Sequence, residues 1–206
     1  MNRNERFVIT INRQFGTGGH EIGRVLAETL GVKLIDRQVL QKVACQFNLT
    51  EDEAERLEQR RPSWWEDFTK LYRNFVRVNE PMDEGGQVTS RQLFYAQAKA
   101  MEEIAGQESC VIIGRCGFHI FREHPNALRI FLHSAKHTRV TRIMDRYHVD
   151  AEKARMMIED NDYLREIYTK TYTGCGWYDV RNYDLTLDVG GYGVNGTVET
   201  LLSFIG

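Results

Sequence analysis

Arg13-Gln14-Phe15-Gly16-Thr17-Gly18-Gly19-His20 is the stretch whose reading decides the fold of this chain. A β-branched run over residues 7–11, Phe-Val-Ile-Thr-Ile, precedes it, and an amphipathic helical pattern beginning near His20 follows. Strand, glycine turn and helix in that order build a phosphate cradle. Glycines let the backbone turn tightly and bring its N–H groups close to an anion, and the helix N-terminus adds free N–H groups and the positive end of a dipole. Three glycines in four residues at this junction favour phosphate binding over a turn that merely needs glycine. The candidate phosphate contacts are Arg13, Gly16, Thr17, Gly18, Gly19, His20 and Glu21.

The turn fits neither standard phosphate pattern. G-x-x-x-x-G-K-[ST] would begin at Arg13, place its lysine at Gly19 and its hydroxyl residue at His20. G-x-G-x-x-G fits Gly16 and Gly18 but meets Glu21 at its third glycine, although Asp36 stands about 20 residues on, where a ribose-binding acid belongs. Two readings stay open on the loop alone, a nucleoside triphosphate site and a dinucleotide site.

Composition narrows the field. A chain of 206 residues with 42% apolar residues buries one sizeable core and a small appendage, so one domain is expected. The net charge of −2 and the absence of long basic runs give no support to a nucleic-acid or membrane-surface role. Cys45, Cys110, Cys116 and Cys175 form no C-x-x-C pair, as in a reducing compartment. No cleavable apolar stretch follows the charged start, and no apolar run approaches the ~20 residues of a membrane span. The expectation is a cytoplasmic protein with small-molecule partners.

Ile22, Val25, Leu26, Thr29 and Leu30 recur at helical spacing and stop at Gly31. Residues 32–35 read as a buried strand ending in Asp36, and Val39, Leu40, Val43, Ala44 and Phe47 as a further helix. Thr50 and Glu53 form a capping box for a charged helix. Trp64, Trp65, Phe68, Leu71, Tyr72, Phe75 and Val78 then make an aromatic helical face, read as an inserted arm that packs on the core or on a second copy in a homo-oligomer. A long helix over about residues 89–105 leads into a continuous apolar strand, 110–114, and a second follows at 128–132. Ser134 is the expected N-cap of the next helix, Asp150 of the one after it; residues 185–189 read as the last strand and 198–205 as a closing helix. Alternating strands and helices predict an α/β, three-layer fold with a parallel sheet.

Arg115 therefore stands at the carboxyl end of a central strand, where open α/β sheets bind ligands. Arg139, Arg142 and Arg146, spaced three and four apart, share one helix face, and Asp162-Tyr-Leu-Arg165 follows on the next helix. Such a face is ordinarily solvated. A dehydrogenase has no evident use for a second arginine-bearing helix, whereas phosphoryl transfer needs several cations around the migrating group.

These residues resemble the cytidylate kinase-like branch of the nucleoside monophosphate kinases. Val111-Ile-Ile-Gly-Arg115-Cys-Gly, Arg129-Ile-Phe-Leu-His-Ser134 and Arg142 are similar to that branch's strand, G-R-D-x-G turn, I-F-L strand and lid arginine. Arg13-Gln-Phe-Gly-Thr-Gly-Gly19 resembles its lysine-free phosphate loop, and Asp162-x-x-Arg165, Trp177 and Tyr183-Asp-Leu its lid and final strand. The resemblance runs from about Phe7 to the end and is weakest between residues 48 and 89. It implies a P-loop kinase fold with a core of about 1–48, 89–134 and 176–206, an acceptor-binding insert of about 49–88 and a lid of about 135–175. Cytidylate kinases carry aspartate where this chain has Cys116, so the resemblance reaches the fold further than the acceptor base.

The expected activity is transfer of the γ-phosphoryl group of ATP, with Mg2+, to a nucleoside monophosphate. Arg139, Arg142 and Arg165 are the candidate catalytic cations, and Asp36, Arg91 and Arg115 the candidate acceptor contacts. Arg13 is the first candidate to replace the missing lysine, and Arg24 the second. The rival readings are a catalytically silent nucleotide-binding regulator and a Rossmann-type oxidoreductase using NAD.

Overall fold

The computed structural model describes residues 1–36 and 90–206. Its strands are β1 (Val8–Arg13), β2 (Lys33–Ile35), β3 (Cys110–Ile113), β4 (Ala127–His133) and β5 (Leu185–Asp188). They form one sheet in the order β2-β3-β1-β4-β5, parallel at every pairing. The helices are α1 (Gly19–Leu30), α2 (Ser90–Gln107), α3 (Gly117–Ile120), α4 (Lys136–Tyr147), α5 (Ala151–Thr173) and α6 (Gly193–Ile205). A dinucleotide-binding sheet places its second strand beside its first. Here β3 takes that place, so the strand order separates the two readings that the loop left open.

The apolar runs at β1 and β3 are buried along their whole length, as a parallel sheet covered on both faces requires. On one face Ile9, Ile11, Val111, Ile113, Ile130 and Leu132 pack against Ile22 and Leu26 of α1 and Val198, Leu201 and Ile205 of α6. The other face is aromatic: Phe131 meets Trp177 and Tyr183 at ring distances of 5.4 and 5.0 Å. Asn12 Nδ2 donates to the Tyr183 hydroxyl at 3.1 Å, and that hydroxyl donates to the Trp177 carbonyl at 2.8 Å. The amide nitrogen of a buried side chain on a central strand thereby finds an acceptor.

Most element ends fall close to the expected ones. Gly31 closes α1 in left-handed conformation, and Asp150 caps α5 by accepting from the Lys153 N–H at 2.8 Å. Ser134 does not cap α4; Ala135 holds that position without a side-chain cap. The Ser134 backbone instead joins the phosphate turn to the helix, its N–H donating to Gln14 Oε1 and its carbonyl accepting from Arg139 Nε. Helix α6 starts at Gly193 rather than at 198, because Gly193 and Gly196 mask a helical pattern that packing stabilises.

Contacts divide the chain into two units, Met1–Arg37 with Glu102–Gly206, and Gln38–Met101. In the second unit the described part is the first two-thirds of α2, where the Phe94 and Tyr95 rings meet edge to face at 5.9 Å. The helices expected over 39–47 and 50–59, the aromatic face over 64–78 and Cys45 lie outside the described residues, as does the Arg91 side chain. Among the described residues no helix is long and apolar enough to cross a membrane.

Candidate functional site

Because β1 lies in the middle of the sheet, the turn that leaves it opens at the centre of the carboxyl edge. Gly16 and Gly18 have φ of +87° and +78°, a region closed to most side chains. A Cβ on Gly16 would also lie 3.0 Å from the Arg139 Cβ, and one on Gly18 2.6 Å from Arg142 Nη1. Helix α1 has no side-chain cap, and its first helical bond runs from the Ile22 N–H to the Gly18 carbonyl. The N–H groups of Gly19, His20 and Glu21 precede that bond and face the mouth of the helix. Thr17 is buried and its hydroxyl donates to the Gln14 carbonyl at 2.8 Å, so it shapes the loop from within.

A buried carboxylate braces this loop. Asp162 of α5 accepts from the Phe15 N–H at 2.7 Å with one oxygen and from Arg139 Nη1 at 2.6 Å with the other. Arg139 also donates to the Phe15 and Ser134 carbonyls, each at 3.1 Å, and both side chains are about nine-tenths buried. The pair fastens α4 and α5 to the loop.

Four other arginines carry the site's charge. Arg142 Nη1 donates to the Thr17 carbonyl at 3.0 Å, and the group lies 3.9 Å from Glu21. Arg165 Nη1 donates to the Arg13 carbonyl at 2.9 Å, with its guanidinium 5.5 Å from the centre of the Phe15 ring. Arg13 lays its stem over Gly19, and its Nη1 reaches the space beside Gly114. Burial, then the charges of Arg165 and Arg115, hold Arg13 well below the ordinary arginine value. Burial likewise lowers Arg165, against the opposing pull of Asp162. Burial and the neighbouring cations disfavour both charges, and an incoming anion offsets that cost.

Arg115 sits on a second turn, after β3. Gly114, Arg115 and Cys116 have consecutive positive φ of +70°, +51° and +57°, closed by a bond from the Gly117 N–H to the Gly114 carbonyl at 2.9 Å. Left-handed backbone costs a non-glycine residue about 1–3 kcal/mol and persists where the surroundings over-determine it. The Arg115 guanidinium stands 5.7 Å from the centre of the Tyr168 ring and bonds its hydroxyl, which burial pushes up to about 12. The Cys116 thiol, 2% exposed, is also pushed up to about 12 by burial and is therefore an inert wall rather than a nucleophile.

The remaining candidates differ in placement. Asp36 contacts His20 at 3.1 Å beside the loop, with His20 half exposed. Arg24 pairs with Glu28 at 2.7 Å, one turn along α1 and away from the loop. Arg146 is exposed, so the expected three-arginine face divides into a buried brace, a loop contact and a solvated end. Asp162 is the residue that sequence reasoning passed over as a site residue. Its signal was the i, i+3 spacing to Arg165.

The model of the cytidylate kinase-like family matches residues 8–190. The chain belongs to that family. No curated protein sequence matches it. Among solved structures it is similar to an uncharacterized protein from Eubacterium ventriosum, at 25% identity and a TM-score of 0.71 over 97% of this chain and 98% of that one. It is also similar to the shikimate kinase of Bacteroides thetaiotaomicron, at 14% identity and a TM-score of 0.53 over 97% and 98%. The shikimate kinase of Acinetobacter baumannii, solved with shikimate, gives 13% and 0.51 over 96% and 92%. The two shikimate kinases share the P-loop kinase fold of this chain, and its membership of the kinase-like family supports phosphoryl transfer as its chemistry.

Proposed function

We propose that this member of the cytidylate kinase-like family transfers the γ-phosphoryl group of ATP to a nucleoside monophosphate. The observation that carries the reading is the convergence of Arg13, Arg115, Arg142 and Arg165 on two adjacent turns, one of which offers the N–H groups of a helix start. The turn at residues 16–19 binds the donor's phosphates through its backbone. Arg115 grips the acceptor's phosphate with its planar fork. Arg142 and Arg165, carried on a lid of about 135–175, stabilise the charge of the migrating group. Arg139, whose donors are spent on Asp162, Phe15 and Ser134, acts as a positioning residue.

Among the described residues no group of three metal-ligating side chains occurs. That fits Mg2+ arriving with the nucleotide, since this ion keeps several waters and takes one or two carboxylates plus phosphate oxygens. Asp36, beside the loop, is the carboxylate placed to meet it, and the ion would neutralise charge on the donor. Glycine at the usual lysine position and His20 at the usual hydroxyl position favour one second reading, a regulator that binds ATP without turnover.

The test is an assay of ATP-dependent product with a panel of nucleoside monophosphates and other small acceptors, shikimate included, beside calorimetry with ATP and NAD. A diphosphate product from one nucleoside monophosphate is expected. Tight NAD binding without an ATP signal would sink the proposal, and ATP binding with no product from any acceptor would leave the regulator.

A further inference from the structure

Gly19 holds the place of the usual P-loop lysine, yet φ does not require glycine there, as it does at Gly16 and Gly18. What requires it is Arg13. A Cβ on residue 19 would lie 2.6 Å from the Arg13 Cγ and 2.9 Å from its Cβ, closer than packed atoms tolerate, and in contact with its Cδ at 3.4 Å. The stem of Arg13 runs through the volume that a side chain at 19 would need, so a lysine at 19 and this arginine exclude each other. Beyond the stem, the guanidinium comes to rest against Gly114, where a Cβ would collide with its Nη1. Two glycines on two different turns thus form the track of one side chain.

The end of that track suits an anion. The Arg13 guanidinium makes no hydrogen bond or ion pair among the described residues, although its own carbonyl accepts from Arg165. Its charged neighbours are the cations of Arg165 and Arg115 and, more weakly, the carboxylates of Asp36 and Asp162. Asp162 is already committed to the Phe15 N–H and Arg139. A cation with five donors, largely buried beside two other cations and lacking an acceptor among the described residues, is an arrangement that an oxyanion relieves.

We propose that the phosphate-loop cation has moved from the helix to the strand: Arg13, crossing from Gly19 to Gly114, takes the role of the P-loop lysine and binds the transferred phosphoryl group between the donor and acceptor turns. This rests on the phosphotransferase reading above. A lysine would enter from the first turn of α1 and touch the donor alone; Arg13 enters from β1 and ends beside Arg115, within the reach of both phosphates. Its fork can engage two oxygens at once, which a lysine point charge cannot.

Calorimetry with Mg2+-ATP, with the melting temperature of each unliganded variant measured alongside, tests this. Arg13→Met keeps the stem and removes the charge, and is expected to bind ATP roughly 10- to 100-fold more weakly while melting no lower than the wild type. Arg13→Lys should recover part of that loss, and it replaces Arg13→Met as the diagnostic variant if the latter melts early. Gly19→Ala should weaken ATP binding in the wild type by displacing the stem, and add little when combined with Arg13→Ala. Arg13→Ala with Gly19→Lys should bind better than Arg13→Ala alone, because the lysine now has room. Wild-type ATP affinity in Arg13→Met, or independent, additive effects of the changes at 13 and 19, would overturn the exchange while leaving the kinase reading intact. A wild-type protein with no ATP signal would instead remove that reading, and this inference with it.

Discussion

The turns after β1 and β3 leave the same edge of the sheet from neighbouring strands, and both run through left-handed backbone. The first meets that demand with Gly16 and Gly18, so its backbone is unstrained and arginine side chains approach it closely. The second uses one glycine and then forces Arg115 and Cys116 into the same region. The difference follows from what each turn presents. A turn that offers N–H groups to an anion needs close approach and no side chains, whereas a turn that aims an arginine cannot be glycine and holds strain instead. The packing beneath them differs as well. Asp162 and Arg139 clamp the first, while the Tyr168 ring and the buried Cys116 wall support the second.

The largest effect should come from the clamp. Asp162→Ala leaves Arg139 buried without its counter-charge and is expected to lower stability by about 3–5 kcal/mol. Urea unfolding measures it, and a loss below about 1 kcal/mol would show that the first turn is not braced by this pair. Next, the turns should fail differently in kinetics. Arg165→Ala, beside the first turn, should lower kcat by roughly 100-fold or more, as removal of a charge-stabilising donor does in comparable sites. Arg115→Ala should leave kcat near the wild type and raise the acceptor's KM by roughly 10- to 100-fold, the worth of a charged hydrogen bond. If both variants keep full activity, the assignment of roles to the two turns is wrong. The smallest effect isolates the strain itself. Arg115→Gly and Arg115→Ala both remove the guanidinium, but at a φ of +51° glycine should be the more stable of the two by about 1 kcal/mol, the reverse of an ordinary site. Equal melting temperatures would mean that the second turn carries no such strain.

Much of the carboxyl edge was legible. Gly16, Gly18 and Gly19 between an apolar run and an amphipathic run identify the loop, and Gly-Arg115 after a second apolar run places an arginine at the carboxyl end of a strand, because buried parallel strands and helix starts follow from local pattern. The division of labour among the arginines was not legible. Arg139 and Arg142 lie three apart on one helix and look equivalent in sequence, yet one is buried against Asp162 and the other rests on the Thr17 carbonyl. Asp162 shows the same limit, since its two hydrogen-bond partners lie 147 and 23 residues away in sequence.

By itself, then, the sequence determined the alternation of strands and helices, the glycine loop and the set of cations, each a matter of short-range periodicity and backbone stereochemistry. Strand order needed the tertiary structure, because whether β2 or β3 pairs with β1 depends on contacts about 100 residues apart, Val8 with Cys110 among them. So did the reason for Gly19, which looks like a lost lysine in sequence and proves in three dimensions to be the space through which Arg13 passes. Local pattern specifies which side chains are available; only packing decides which of them exclude one another.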